Sequence, residues 1–340
     1  GLFGTGFSQE PAAILPAPPL ESGDSDPIAQ PEAPEDSDPT VTTNPIATVT
    51  VEPTLDPLDV SGVDLARIGG GSGGLVYASD FDGNFSIFQA NEAGQVALIS
   101  NNNFRAFGAV YSPNGTRIAW HEEHPIQKTW EVFTANPDGT GKQNITRNQA
   151  DDSFPRWSPD GTQIVFHTNR NQTAEGERQF DIYRIDVVSG TETQLTSAET
   201  SEFGGAFSPD GAKIVFHRQM GPNVWELFVM DTDGSNQIQL TNLNRPSLFA
   251  SWSPDGTQLV FHGFINGVWQ IFTADVSSGT TTQITFDENN SFYPKWAPNG
   301  EWIAFHRELE DENRDIFLVR KDGSEQIRVT NTAEEERMPD

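Results

Sequence analysis

The chain has 340 residues and no cysteine, so disulfide staples and thiolate metal sites are excluded. Its 49 acidic residues outweigh 20 basic ones, a net charge of −29 that repels phosphate backbones and argues against nucleic-acid binding. No run of 18 apolar residues is present to span a bilayer as a helix, and a first residue other than Met fits either a removed upstream signal or anchor or a start inside a longer chain.

Residues 1–66 contain eleven Pro, twelve Asp or Glu and no Lys or Arg. Such a segment has too little apolar surface to offset its ordering entropy and is expected to be an extended, self-repelling stalk. Within it Ile46-Ala-Thr-Val49-Thr-Val51 alternates as a strand does, and is the segment expected to add to a sheet edge in an assembly.

From Arg67 onward a repeat takes over. The phrase Asp152-Ser-Phe-Pro-Arg-Trp-Ser-Pro-Asp-Gly-Thr-Gln-Ile-Val-Phe-His167 returns as 202–217, 247–262 and 291–306, with a looser copy at 106–121. Ser158-Pro159-Asp160-Gly161 is turn chemistry: Pro presets φ near −65° and Gly supplies a positive φ. The flanking segments are aromatic and β-branched without a 3.6-residue period, so the phrase predicts a hairpin. A third strand follows, ending in pairs such as Ile182-Tyr183 and Leu227-Phe228. Then come a turn glycine and a fourth strand that closes at Ile145-Thr146, Leu195-Thr196 or Leu240-Thr241. The glycines Gly94, Gly139, Gly190, Gly234, Gly279 and Gly323 are 44 to 51 residues apart. Units of that length with four strands suit propeller blades, each too thin to bury its faces alone. The predicted fold is therefore all-β: a six-bladed β-propeller over 67–340. Because Glu336-Arg-Met-Pro-Asp340 aligns with Asp152-Ser-Phe-Pro-Arg156, the C-terminus is expected to supply the innermost strand of the first blade.

These aromatic-Ser-Pro-Asp-Gly turns resemble the TolB-type, WD-like propeller repeat, over residues 67–340. The resemblance implies a binding platform outside the bacterial cytoplasm, in the periplasm or at the cell surface. The family's namesake carries an α/β domain where this chain has its acidic tail. Propellers on Pro/Thr-rich stalks of bacterial surface proteins are a second point of similarity.

Two sets of residues stand out as sites. His121, His167, His217, His262 and His306 share one second-strand slot, with Ala78 in the sixth blade. They can be read as a metal or pH-sensing ring, or as residues that pack between blades and hydrogen-bond neighbouring backbone. Second-strand positions lie away from the axis, which favours packing. The starts of the innermost strands are expected to surround the channel mouth: Asp152, Glu202, Ser247, Ser291 and Glu336, with Asp151 just before them. Such a rim would attract cationic ligands, a basic peptide or Ca²⁺, although no cofactor is otherwise indicated. A serine peptidase of the propeller-plus-hydrolase type would need a further domain, and no arginine triad of a sialidase is evident. The expected role is non-enzymatic: a module that contacts a protein partner or further copies of itself, as in a filament. Ligand or cation sensing at the channel mouth is the alternative.

Overall fold

In the computed structural model, the described residues are 75–79, 85–90, 96–100, 104–172, 178–309, 314–329 and 336–337. The chain divides into the units Gly1–Asp56 and Pro57–Asp340. The first unit, the strand expected at Ile46, Val49 and Val51, and the 66/67 boundary all lie outside the described residues. Among the described residues every regular element is a strand.

The strands form six four-stranded antiparallel sheets. Blade 1 comprises Leu75–Ser79, Ser86–Ala90 and Val96–Leu98, and its innermost strand is the two-residue Glu336–Arg337 from the other end of the repeat region. Ser79 pairs with Glu336 and Ala78 with Arg337, so the chain closes the ring as its terminal repeat predicted. The innermost strands of blades 2 to 6 are Ala106–Tyr111, Asp152–Trp157, Glu202–Phe207, Ser247–Trp252 and Ser291–Trp296.

Six hydrophobic clusters hold the ring, each shared by two neighbouring blades. Trp157, Phe166 and Tyr183 of blade 3 pack with Val110, Ala119 and Val132 of blade 2. Tyr77 and Phe88 of blade 1 pack with Trp302 and Ile316 of blade 6, which makes the closure hydrophobic as well as hydrogen-bonded. Each buried Phe, Ile or Val in these seams contributes about 1.5–3 kcal/mol.

The Ser-Pro-Asp-Gly turn shows why its residues recur. Ser158 Oγ donates to Asp160 Oδ1 at 2.6 Å and accepts from the Gln163 amide at 2.9 Å. Gly161 has φ 70°, and a side chain there would meet Pro113 of the preceding blade. The fourth-strand threonines satisfy third-strand amides in the same repeated way: Thr196 Oγ1 accepts from Ile182 N, and Thr241 Oγ1 from Leu227 N, both at 2.9 Å.

Candidate functional site

Two of the carboxylates expected around the channel mouth, Asp152 and Glu202, are turned into the blades. Asp152, Glu202, Ser247 and Ser291 are fully buried. Asp152 lies 3.2 Å from Arg170 Nη2, and Glu202 accepts from Arg218 Nε at 2.6 Å. Ser291 Oγ accepts from Arg307 Nε at 3.2 Å, while Arg307 Nη2 meets Asp287 at 2.5 Å. The same guanidiniums lie over the aromatic pairs of their blades, Arg170 4.5 Å from the Tyr183 ring, Arg218 4.6 Å from Phe228 and Arg307 4.8 Å from Phe317. Cation and ring attract through the ring quadrupole, more so when desolvated.

Blades 5 and 2 vary the device in an informative way. In blade 5 Ser247 stands opposite Gly263, so acid and cation are both missing, and Arg245 from the preceding loop lies 5.3 Å from the Phe272 ring. In blade 2 the order is inverted: Glu122 follows the histidine, and Lys142, 2.6 Å from it, covers Phe133 at 4.6 Å. Burial pushes the Asp152 and Glu202 carboxyls above their usual range. Arg170 opposes this at Asp152; Thr196 and then Arg218 oppose it at Glu202. Oxygens already facing guanidinium N–H groups do not suit a hard cation that takes six to eight oxygens. Asp151, half-buried, accepts from Trp130 N at 3.1 Å and from Asn169 Nδ2 at 2.6 Å. Glu336 is placed by its backbone pairing alone.

Among the described residues the axis is instead built by the third residue of the innermost strands of blades 2 to 6. In blade 3 the register runs Ser153↔His167 and then Arg156↔Val165, so Phe154 and Pro155 face one residue. The same bulge recurs in blades 2, 4, 5 and 6. Its first residue is left-handed in all five: Gly108 (φ 64°), Phe154 (54°), Gly204 (68°), Phe249 (52°) and Tyr293 (49°). For the three aromatic residues this conformation costs about 1–2 kcal/mol each, and strain of this kind gathers where function constrains the backbone.

The three aromatic side chains converge although they come from blades 3, 5 and 6. Phe249 lies 4.7 Å from both Phe154 and Tyr293, and Phe154 is 6.0 Å from Tyr293. Glycine in blades 2 and 4 makes room for them: a Cβ on Gly204 would sit 2.8 Å from His217 Cε1 and 3.5 Å from Phe249 Cδ1. The cleft around these rings has a volume of about 20 Å³, enough for a water or two, and its charged lining residues are Arg156 and Lys295. Among the described residues no carboxylate lines this cleft.

The histidines sit behind this cluster. His121, His167, His217 and His262 are buried, and each Nδ1 accepts the left-handed amide of the next blade. Phe154 N is 3.3 Å from His121, Gly204 N 3.4 Å from His167, Phe249 N 3.4 Å from His217 and Tyr293 N 3.2 Å from His262. Packing between blades with a hydrogen bond to neighbouring backbone is therefore what these residues do. Among the described residues, no three His, Asp or Glu side chains group as a metal site.

Two features escaped the sequence reading. One is the axial trio, whose signal was the appearance of Gly108 and Gly204 in the slot occupied elsewhere by Phe154, Phe249 and Tyr293. The other is a set of buried acids just before the aliphatic–aromatic pairs. Glu131 accepts from Thr146 Oγ1 at 2.6 Å and from the Asn148 amide at 3.2 Å. Glu226 does the same with Thr241 Oγ1 and the Asn244 amide, at 2.6 and 2.7 Å. Each acid thus ties a fourth strand to the loop that enters the next blade.

Comparison with known proteins gives this architecture its relatives. The TolB protein of the Tol-Pal system from Anaeromyxobacter dehalogenans is 32% identical over 102 residues, which cover 30% of this chain and 22% of that protein. The chain thus spans about a fifth of the length of that curated relative. The crystal structure of TolB from Acinetobacter baumannii superposes with a TM-score of 0.67 at 17% identity, over 79% of this chain and 66% of that one. An oligogalacturonate lyase solved in complex with manganese superposes with a TM-score of 0.56 at 14% identity, over 76% of this chain and 74% of that one. At such identities the likeness is one of fold, and the fold alone does not separate binding modules from enzymes. The family match is broader, running over residues 75–224 and 218–339, and on it the chain belongs to the TolB beta propeller domain family.

Proposed function

We propose that this chain is a non-enzymatic, extracytoplasmic protein-interaction module of a bacterial surface or envelope assembly, with its acidic tail contacting a partner or a neighbouring copy. The observation that carries the reading is how the titratable groups are used. Asp152, Glu202 and Glu131 are buried and bonded inside the blades, and four histidines are engaged by backbone amides. Glu131 and Asp152, both joined to Asn148, are a carboxylate pair without an open cleft between them, unlike the flanking pair that glycoside hydrolysis needs. What such a propeller offers a partner is the surface of its loops and strand ends, where Ile126 and Phe286 of loops and Met220 near the end of a strand are exposed. The TolB relatives are named for the Tol-Pal system, which supports an envelope setting.

The test is the mass of the native particle by light scattering, for the full chain and for a chain beginning at Arg67. Assembly of the full chain alone identifies the tail as the connector. Two monomers of the expected masses would remove the tail from the proposal.

A further inference from the structure

A bulge turns one N–H out of the strand ladder, and a buried amide left without an acceptor costs about 1–3 kcal/mol. Here the acceptor comes from across a blade boundary, in chain order His121 to Phe154, His167 to Gly204, His217 to Phe249 and His262 to Tyr293. Each imidazole is itself fixed by a third-strand aromatic of its own blade, standing nearly perpendicular to it. The interplanar angles are 71° with Trp130, 78° with Phe180, 73° with Trp225 and 71° with Trp269. Three of the four amides belong to the residues that meet on the axis.

We propose that His121, His167, His217 and His262 are positioning residues: each fastens the axial residue of the following blade in its left-handed turn, and together they hold Phe154, Phe249 and Tyr293 as a plug that shuts the channel. A partner then meets an end face of the propeller and does not thread through it. The inference does not depend on which partner that is.

A neutral imidazole accepts through one nitrogen only, so an accepting Nδ1 requires the proton on Nε2. The first measurement is nitrogen-15 NMR of the imidazoles in the intact chain at neutral pH. All four should be Nε2–H tautomers with a hydrogen-bonded Nδ1; an Nδ1–H tautomer at these positions overturns the proposal. The second compares His262→Phe with His262→Gln, which keeps an acceptor. The Tyr293 amide should exchange at least tenfold faster in the Phe variant, and nitration of the Tyr293 ring, read by peptide mass, should rise with it. The Gln variant should retain much of the native protection. Equal protection of Tyr293 in His262→Phe and the native chain refutes the positioning role. If His262→Phe does not fold, the tautomer measurement on the native chain decides.

Discussion

The backbone amide of Tyr293 donates to Nδ1 of His262, 3.2 Å away in the preceding blade. That bond exists only while the imidazole is neutral. Burial holds His262 and His167 down at about 3, with Arg156 adding to the effect at His167. His121 and His217 are also held well below the ordinary value, first by burial and then by electrostatic coupling to neighbouring titratable groups: His167 and Arg156 at His121, His167 and His262 at His217.

The sign of the pH dependence follows. Between the unfolded value of 6.5 and a folded value near 3, the unfolded chain binds more protons, so stability falls as pH falls through that window. Urea midpoints should decline steeply from about pH 6.5 downward. In His262→Gln, proton uptake on unfolding should drop by about one in that window. An unchanged uptake would show that His262 is not among the groups that drive acid unfolding.

Glu131 predicts the opposite trend. Burial raises its carboxyl from 4.5 to about 6, against the Thr146 and Asn148 bonds that lower it. The folded state then binds the extra proton, so stability is lost as pH rises from 4.5 through 6. Blade 5 already carries the remedy, since Gln270 Oε1 accepts from Thr285 Oγ1 at the same 2.6 Å. Glu131→Gln should therefore stabilise the protein by roughly 1–2 kcal/mol at pH 7.5 and by little at pH 4. Chemical denaturation at both pH values checks it.

The blades were legible because their devices are local. A Ser-Pro-Asp-Gly turn closes on itself through Ser158, Asp160 and Gly161, whatever surrounds it. Ring closure was legible because Glu336 and Arg337 repeat the register of Asp152 and Ser153. The axis was not. Strict alternation would put Asp152 and Phe154 on one face of the strand, and an acidic start then reads as an acidic channel. The left-handed residue at 154 breaks that alternation, so Asp152 turns toward Arg170 while Phe154 turns to the axis. A bulge of this kind depends on an acceptor some thirty residues away, His121, which no local pattern reveals.

Two glycines with nearly the same φ separate backbone strain from crowding. Gly204 (φ 68°) has His217 Cε1 2.8 Å from where a Cβ would sit, whereas at Gly211 (φ 71°) the nearest atom is Pro159 Cδ at 3.8 Å. Gly211→Ala should cost about 1–2 kcal/mol for the left-handed conformation alone. Gly204→Ala adds overlap with a buried ring and should cost about 2–4 kcal/mol. Thermal melts of the two variants make the comparison. Equal losses would mean that the axis has slack the packed rings do not suggest.

The inward acids yield the last prediction. Glu202 is fully buried against Arg218, which in turn lies over Phe216 and Phe228. Removing only the cation, as in Arg218→Gly, leaves a buried carboxylate without its partner and should cost about 3–5 kcal/mol. Removing both, as Glu202→Ser with Arg218→Gly, recreates the Ser247–Gly263 pair of blade 5 and eliminates the stranded charge. The double variant should therefore be more stable than Arg218→Gly, an interaction that a denaturation cycle of the four proteins reads directly. Arg245 supplies the missing cation in blade 5, so the double variant should still fall short of the native chain, having lost the stack over Phe228. Were Glu202 a channel ligand and not an internal counter-charge, the two substitutions would simply add, and the double variant would be the least stable of the set.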